Sequence, residues 1–242
     1  MIQRVKIGRY EMFADDASWV GKLYVENGVN YELHIRKELE RLIPRSKGFL
    51  DVGANCGIHS VSAKDIEPSV PVTAFEVSPT NVNLLCRTVL HNKFENFDVI
   101  PVALGACRKI VGVSCDTEDT RCLPPGHEEA VRWVPCRPLG SYVLQEFDVI
   151  KMDIEGFEYD AWQGMEFVWE RHPTMIFEYC FPQLASRGVA FEEPLHYLLR
   201  QGYSLTILDN KPGIRRKFTD ATQLTQYMQR LGLDIVDILA EA

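Results

Sequence analysis

Phe49-Leu50-Asp51-Val52-Gly53-Ala54-Asn55-Cys56-Gly57 is an apolar run that passes directly into a turn built on two glycines. The run reads as a buried strand, because it is short, rich in branched and aromatic side chains, and bounded by turn residues. Gly53 and Gly57 allow the backbone to approach a ligand with no Cβ in the way. The spacing is D-x-G-x-N-x-G rather than G-x-G-x-x-G, whose second glycine makes room for a pyrophosphate at a helix N-terminus. A ligand lacking a pyrophosphate suits it better, and Asp51 is expected to face an ammonium group of that ligand, directly or through water.

From residue 48 onward apolar runs alternate with helical patterns, the mark of a parallel sheet covered by helices. Strands are predicted at 49–53, 72–76, 99–104, 149–153, 174–179, 203–208 and 234–239, with helices over 158–169 and 195–201. Ser78-Pro79 supply an N-cap and an N1 proline for a helix with Val82, Leu85, Val89 and Leu90 at helical spacing. Upstream, residues 5–13 and 19–25 are predicted to form a strand pair joined by Asp15-Asp16. A helix follows from Tyr31, capped by Asn30, with Ile35, Leu39 and Leu42 on one face and Pro44 as its stop. Residues 1–46 then form a strand-and-helix extension packed on a core of residues 47–242, one structural domain overall. The ligand is expected at the carboxyl ends of the parallel strands, where strand order reverses.

The 242 residues, 46% hydrophobic and 25% charged, are those of an ordinary globular chain. A net charge of -8 disfavours nonspecific attraction to nucleic acid. Arg215-Arg216-Lys217 is the one short basic cluster and reads as a solvated loop. The seven cysteines, 56, 86, 107, 115, 122, 136 and 180, show no paired C-x-x-C spacing, which argues against a disulfide framework and a zinc site. Residues 116–138, carrying Pro124-Pro125-Gly126, have the strongest loop character. Residues 1–7 hold no leader-like apolar run, and no segment nears the roughly 18 apolar residues that cross a bilayer. The expectation is a cytoplasmic protein with neither nucleic acid nor membrane as partner.

Glu76 closes the second predicted strand, where a carboxylate can accept two hydrogen bonds from the ribose hydroxyls of a nucleoside. Glycine turn, helix, strand and acidic tip in that order point to nucleoside binding. Residues 148–158 place Lys151 inside an apolar strand that ends in Asp153, Glu155 and Glu158. Three carboxylates at one sheet edge repel one another unless a cation, a raised pKa or hydrogen bonding relieves them. Lys151, a bound sulfonium or a divalent metal would each serve, and capping of the following helix is the plainer role.

Through DVGANCG (51–57), AFEVSPTN (74–81) and IKMDIEGFE (150–158) the chain resembles the FkbM-type methyltransferases, a branch of the class I S-adenosylmethionine-dependent enzymes. The similarity runs from about residue 48 to 178. Leu139-Gly140 stands where that family commonly has Leu-Asp. The resemblance implies a Rossmann-like class I methyltransferase fold, here an α/β chain with a mostly parallel seven-stranded sheet flanked by helices. It implies S-adenosylmethionine as donor and S-adenosylhomocysteine as product. Asp51, Gly53, Ala54, Asn55, Gly57, Glu76, Val77 and Ala103 would line the donor pocket, with Glu76 holding the ribose. Asp153 and Glu155, beside Lys151, would border the methyl-transfer site.

The expected reaction is O-methylation of a hydroxyl on a sugar or small-molecule acceptor. Its proton needs a base within about 3 Å. Asp153 is the first candidate, Glu155 the second and His59 the third, while Glu178 at the end of the fifth strand would orient acceptor hydroxyls. No metal site is assigned, although a divalent cation is compatible with the acidic edge. A nucleoside-binding module without catalysis is the alternative, disfavoured by the presence together of Lys151, Asp153 and Glu155. A nicotinamide oxidoreductase lacks its G-x-G-x-x-G.

Overall fold

The computed structural model describes residues 1–114, 121–123, 127–142, 146–208 and 215–242. Strands β1 (Ile2–Ile7) and β2 (Tyr10–Asp15) form an antiparallel hairpin. Gly8, at φ +56°, turns the chain where a continuous strand over 5–13 was expected. Residues 19–25 are not its partner but part of helix α1 (Trp19–Asn27). Ser18 decides this by accepting a hydrogen bond from the Gly21 N–H, an N-cap that commits the following turn to helix. Helix α2 (Leu33–Leu42) buries Ile35 and Leu39 as expected, but begins two residues later than Tyr31. Its N-cap position is held by Glu32 in a left-handed conformation, φ 44°, with no side-chain cap.

Strand β3 (Phe49–Val52) leads through the glycine turn to α3 (Ile58–Ile66), and β4 (Val72–Phe75) leads to α4 (Pro79–Asn92), where Ser78 caps the Asn81 N–H. The face that α4 buries is Asn81, Leu84, Leu85 and Thr88, and Leu90 is exposed. The difference from the expected face arises from the hairpin, whose Phe13 N–H donates to Thr88 Oγ1 across α4.

The predicted strand at 99–104 is two strands, β5 (Phe97–Ile100) and β6 (Ala103–Leu104), in different sheets. Pro101 between them lacks the N–H that a continuing ladder needs. Strands β7 (Lys109–Val113), β8 (Cys122–Leu123) and β9 (Arg132–Arg137) complete a four-stranded sheet with β6, in the order β6-β9-β7-β8. Residues 132–137 are therefore strand rather than loop. Val134 and Cys136 alternate inward against Val111 and Val113. Cys115, residues 116–120 and Pro124-Pro125-Gly126 lie outside the described residues.

Strand β10 (Val149–Met152) precedes α5 (Glu158–Gln163) and α6 (Glu166–Trp169), which replace the single helix expected over 158–169. Gly164 separates them, and a Cβ there would lie 2.2 Å from the Gly105 carbonyl oxygen. Strand β11 (Thr174–Cys180), helices α7 (Phe181–Ser186) and α8 (Glu193–Arg200), strands β12 (Ser204–Leu208) and β13 (Arg215–Phe218), helix α9 (Ala221–Leu231) and strand β14 (Ile235–Glu241) complete the chain.

Among the described residues the main sheet has eight strands, one more than expected, in the order β13-β12-β14-β11-β10-β3-β4-β5. The extra strand contains Arg215-Arg216-Lys217, an edge strand whose exposed charges discourage further pairing. Strands β11, β10, β3, β4 and β5 run parallel, and β14, β12 and β13 add antiparallel pairings. Chain order reverses between β3 and β10, which opens a crevice at their carboxyl ends.

Candidate active site

A cavity of about 360 Å³ lies at that crevice. Its wall includes Gly53, Ala54, Asn55, Glu76, Val77, Ala103, Lys151, Asp153, Glu155, Glu178 and His59, all expected site residues. Asp51 and Gly57 are not in the wall.

Asp51 is fully buried on β3, and its Oδ2 accepts from Ser60 Oγ at 2.6 Å on the first turn of α3. Burial raises its pKa, with His59, Lys151 and the Ser60 hydrogen bonds opposing. It pairs in register with Lys151 on β10, its charge favours the lysine ammonium, and its buried Oδ1 has no hydrogen-bond partner among the described residues. Gly57, at φ +96°, begins α3, and a Cβ there would lie 2.4 Å from Leu85 Cδ1. Its lack of a side chain serves the packing of α3 on α4.

Gly53 does serve the cavity. Its φ is +80°, and a Cβ would lie 1.7 Å from the Asp153 carbonyl oxygen, so only glycine lets the β3 turn pass the end of β10. Gly53→Ala is expected to cost about 3 kcal/mol or more, read as a Tm lowered by about 6–12 °C. A variant melting with the wild type would show that this approach carries no constraint.

The Glu76 carboxylate is fixed by three backbone donors. Its Oε2 accepts from the Asn55 N–H at 2.8 Å, and its Oε1 from the Val77 and Ser78 N–H groups at 2.9 and 2.7 Å. Burial nevertheless leaves its pKa raised. The Asn81 side chain also hydrogen-bonds it, so the protein itself occupies most of the roughly four lone-pair sites of the carboxylate, two of which the sequence reading assigned to ribose hydroxyls.

Lys151 Nζ donates to Asp153 Oδ2 at 2.8 Å, with the lysine side chain only 3% exposed. Burial alone would lower the lysine pKa, but the charges of Asp153, Glu32 and Asp51 outweigh it and hold the proton on. The acid named first as base is therefore committed to an ion pair. Glu155 (φ 56°) and Gly156 (φ +85°) form a left-handed hook after β10 that brings Glu155 into hydrogen-bond contact with Gln183 Nε2. The Glu158 carboxylate accepts from the Ile154 N–H at 2.8 Å in the turn before α5, whose own N-cap residue, Phe157, makes no side-chain hydrogen bond.

Five residues of the N-terminal segment that sequence reasoning missed also meet the cavity: Trp19, Val20, Tyr24, Tyr31 and Glu32. Glu32 bonds His59 Nε2 at 2.9 Å. Burial pushes the Glu32 pKa up, yet the hydrogen bond and charge of His59, with Lys151, hold it down at about 2. No local pattern announces Glu32, since its partner is 27 positions away and its left-handed backbone is imposed by the fold.

Burial, followed by the charges of Asp153, Glu155, Glu158 and Asp237, pushes Glu178 up to about 10. Burial pushes Glu158 up to about 7. Both values exceed the ordinary 4.5, so the folded chain holds protons that the unfolded chain has released. Stability is then greatest at low pH and is lost as pH rises through these values. The Tm is expected to decline from about pH 6 to pH 9, and Glu178→Gln to flatten the decline. Parallel slopes in the two proteins would contradict the Glu178 shift.

Among the described residues no group of three or more His, Cys, Asp or Glu is placed to hold a metal ion, and no cysteine is in a disulfide. No described helix is long and apolar enough to cross a membrane.

The fold is shared with several solved structures. Methyltransferase FkbM from Methylobacillus flagellatus KT is 18% identical with a TM-score of 0.53, over 84% of this chain and 54% of that one. The present chain thus spans about half the length of that protein. The Pyrococcus abyssi tRNA (uracil-54, C5)-methyltransferase, solved with S-adenosyl-L-homocysteine, is 10% identical with a TM-score of 0.50, over 99% of this chain and 44% of that one. The ribosomal protein L11 methylase of Lactobacillus delbrueckii subsp. bulgaricus is 11% identical with a TM-score of 0.50, over 88% and 79%. No curated protein matches the chain.

The sheet, with its reversal of strand order, is the Rossmann-like fold that these solved methyltransferases share. Residues 51–205 match the methyltransferase FkbM domain, and the chain belongs to that family.

Proposed function

We propose that this methyltransferase moves a methyl group from S-adenosylmethionine to a hydroxyl oxygen of a sugar or another small molecule. The observation that carries the reading is the meeting, in one cavity, of the bare backbone at Gly53, the backbone-fixed Glu76 carboxylate and the acidic end of β10. The cavity volume lies within the range of small-ligand sites. The donor supplies an electrophilic methyl group already activated by its positive sulfonium.

The protein's own contribution is then positioning. Glu76 holds a ribose hydroxyl, and its three N–H partners keep it from swinging away. Residues 53–55 leave room for the aminoacyl part. Asp153, held by Lys151, fixes the position of negative charge beside the reacting centre, and the remaining wall aligns the acceptor oxygen. Such alignment contributes on the order of 7–11 kcal/mol to lowering a barrier.

Calorimetric titration with S-adenosylmethionine and S-adenosylhomocysteine, followed by transfer of labelled methyl to a panel of methyl glycosides and polyols, tests the reading. Binding of both ligands and a methyl ether product are expected. Absence of heat with either ligand would remove the donor assignment, and binding without any ether would favour a nucleoside-binding module.

A further inference from the structure

Glu178 sits on β11 between the main cavity and a second one of about 230 Å³, and it borders both. Glu32 and Ile235 are shared between the two walls as well. The Glu178 carboxyl makes no hydrogen bond among the described residues, and the basic side chains of the two walls pair with other acids, Arg121 among them with Glu155. Lys151 of β10 is paired with Asp153. His34 of α2 lies 2.6 Å from Asp237 of β14, and His59 of α3 pairs with Glu32. Glu155 after β10, Glu158 of α5 and Asp237 of β14 add negative charge, and Cys180 follows on the same strand.

A half-buried carboxyl with no donor and several carboxylates around it favours the neutral acid. A cation beside it reverses that preference. We propose that Glu178 is the exchangeable counter-charge of this site, giving up its proton when the sulfonium donor enters and regaining one from the acceptor hydroxyl as the methyl group leaves. This assignment rests on the donor reading above. The raised pKa of Glu178 agrees with a neutral acid in the ligand-free protein.

The step balances. The acceptor oxygen forms a bond to the methyl carbon while the carbon–sulfur bond breaks, with its electron pair remaining on sulfur. The hydroxyl proton passes to Glu178, whose negative charge loses its partner at the moment the sulfonium charge disappears. The site is thus neutral at Glu178 before donor entry and again with the neutral thioether product.

Calorimetry at pH 8 in phosphate and in Tris, buffers of different ionisation enthalpy, counts protons released on binding. Wild-type protein is expected to release about half to one proton more with S-adenosylmethionine than with S-adenosylhomocysteine. That difference equals the proton regained across the transfer, because the two complexes are its start and end states. In Glu178→Gln the difference should vanish, and the preference for the sulfonium over the thioether should fall about tenfold. Equal proton counts for the two ligands in wild-type protein would overturn the proposal without needing the variant, as would an undiminished difference in Glu178→Gln. If neither ligand bound, the donor reading would fail first and this assignment with it. Binding of both with equal counts would leave the donor reading intact and remove Glu178 alone.

Discussion

Lys151→Met is expected to destabilise the fold by about 3–5 kcal/mol, the usual cost of removing one partner from a buried ion pair. At about 2–4 °C of Tm for each kcal/mol, thermal melting should show a fall of at least 6 °C. The reason is local. Lys151 is the buried cation between Asp153, Asp51 and Glu32, and its ammonium is held by all three charges. Methionine fills a similar volume but leaves the acids facing one another in a poorly solvated space. The double variant Lys151→Met, Asp153→Leu should recover much of the loss, because a buried pair replaced whole by apolar groups costs little. A single variant that melts within about 2 °C of the wild type would show that Asp153 is adequately solvated and that the pair does not organise the site.

The second large effect is expected at Glu76. Glu76→Ala removes the acceptor for the Asn55, Val77 and Ser78 N–H groups as well as the ribose anchor of the proposed donor. A buried donor left without a partner costs about 1–3 kcal/mol, so the turn bearing Gly53 should loosen even before ligand arrives. Donor affinity is expected to fall at least about 100-fold, some 2.7 kcal/mol. Glu76→Gln retains one carbonyl oxygen and should fall between the two. Calorimetry with S-adenosylhomocysteine reads this without an acceptor. Wild-type affinity in a folded Glu76→Ala protein would exclude the strand-tip acid from donor binding.

Much of this site lies in short stretches of chain. The β3 turn needs a positive φ at Gly53, the helix after β4 needs the Ser78 cap, and Glu76 sits one residue beyond an apolar run. Each is a property of neighbouring residues. For Asp51 the strand end does not disclose which partner claims its carboxylate: Ser60 takes Oδ2, and Oδ1 has no hydrogen-bond partner among the described residues. Gly57 shows a related gap: positive φ accounts for the glycine, but the neighbour that excludes a Cβ is Leu85 of another helix.

The Arg215 segment and residues 132–137 looked like loops because their apolar content is low or interrupted, and only their partners β12 and β7 make them strands. Backbone pairing across a sheet is a contact between distant segments, and composition signals it weakly. The five N-terminal cavity residues are the strongest case of this kind.

Residue types and their immediate order settled the alternation of strands and helices, the glycine turn and the acidic tips, since dihedral preference, capping and hydrophobic period act over a few residues. Tertiary packing alone settled which acids meet solvent, which meet Lys151 and which stay protonated. Those outcomes depend on desolvation and on charges brought together from β10, β11, β14 and α2, a field that no single segment carries.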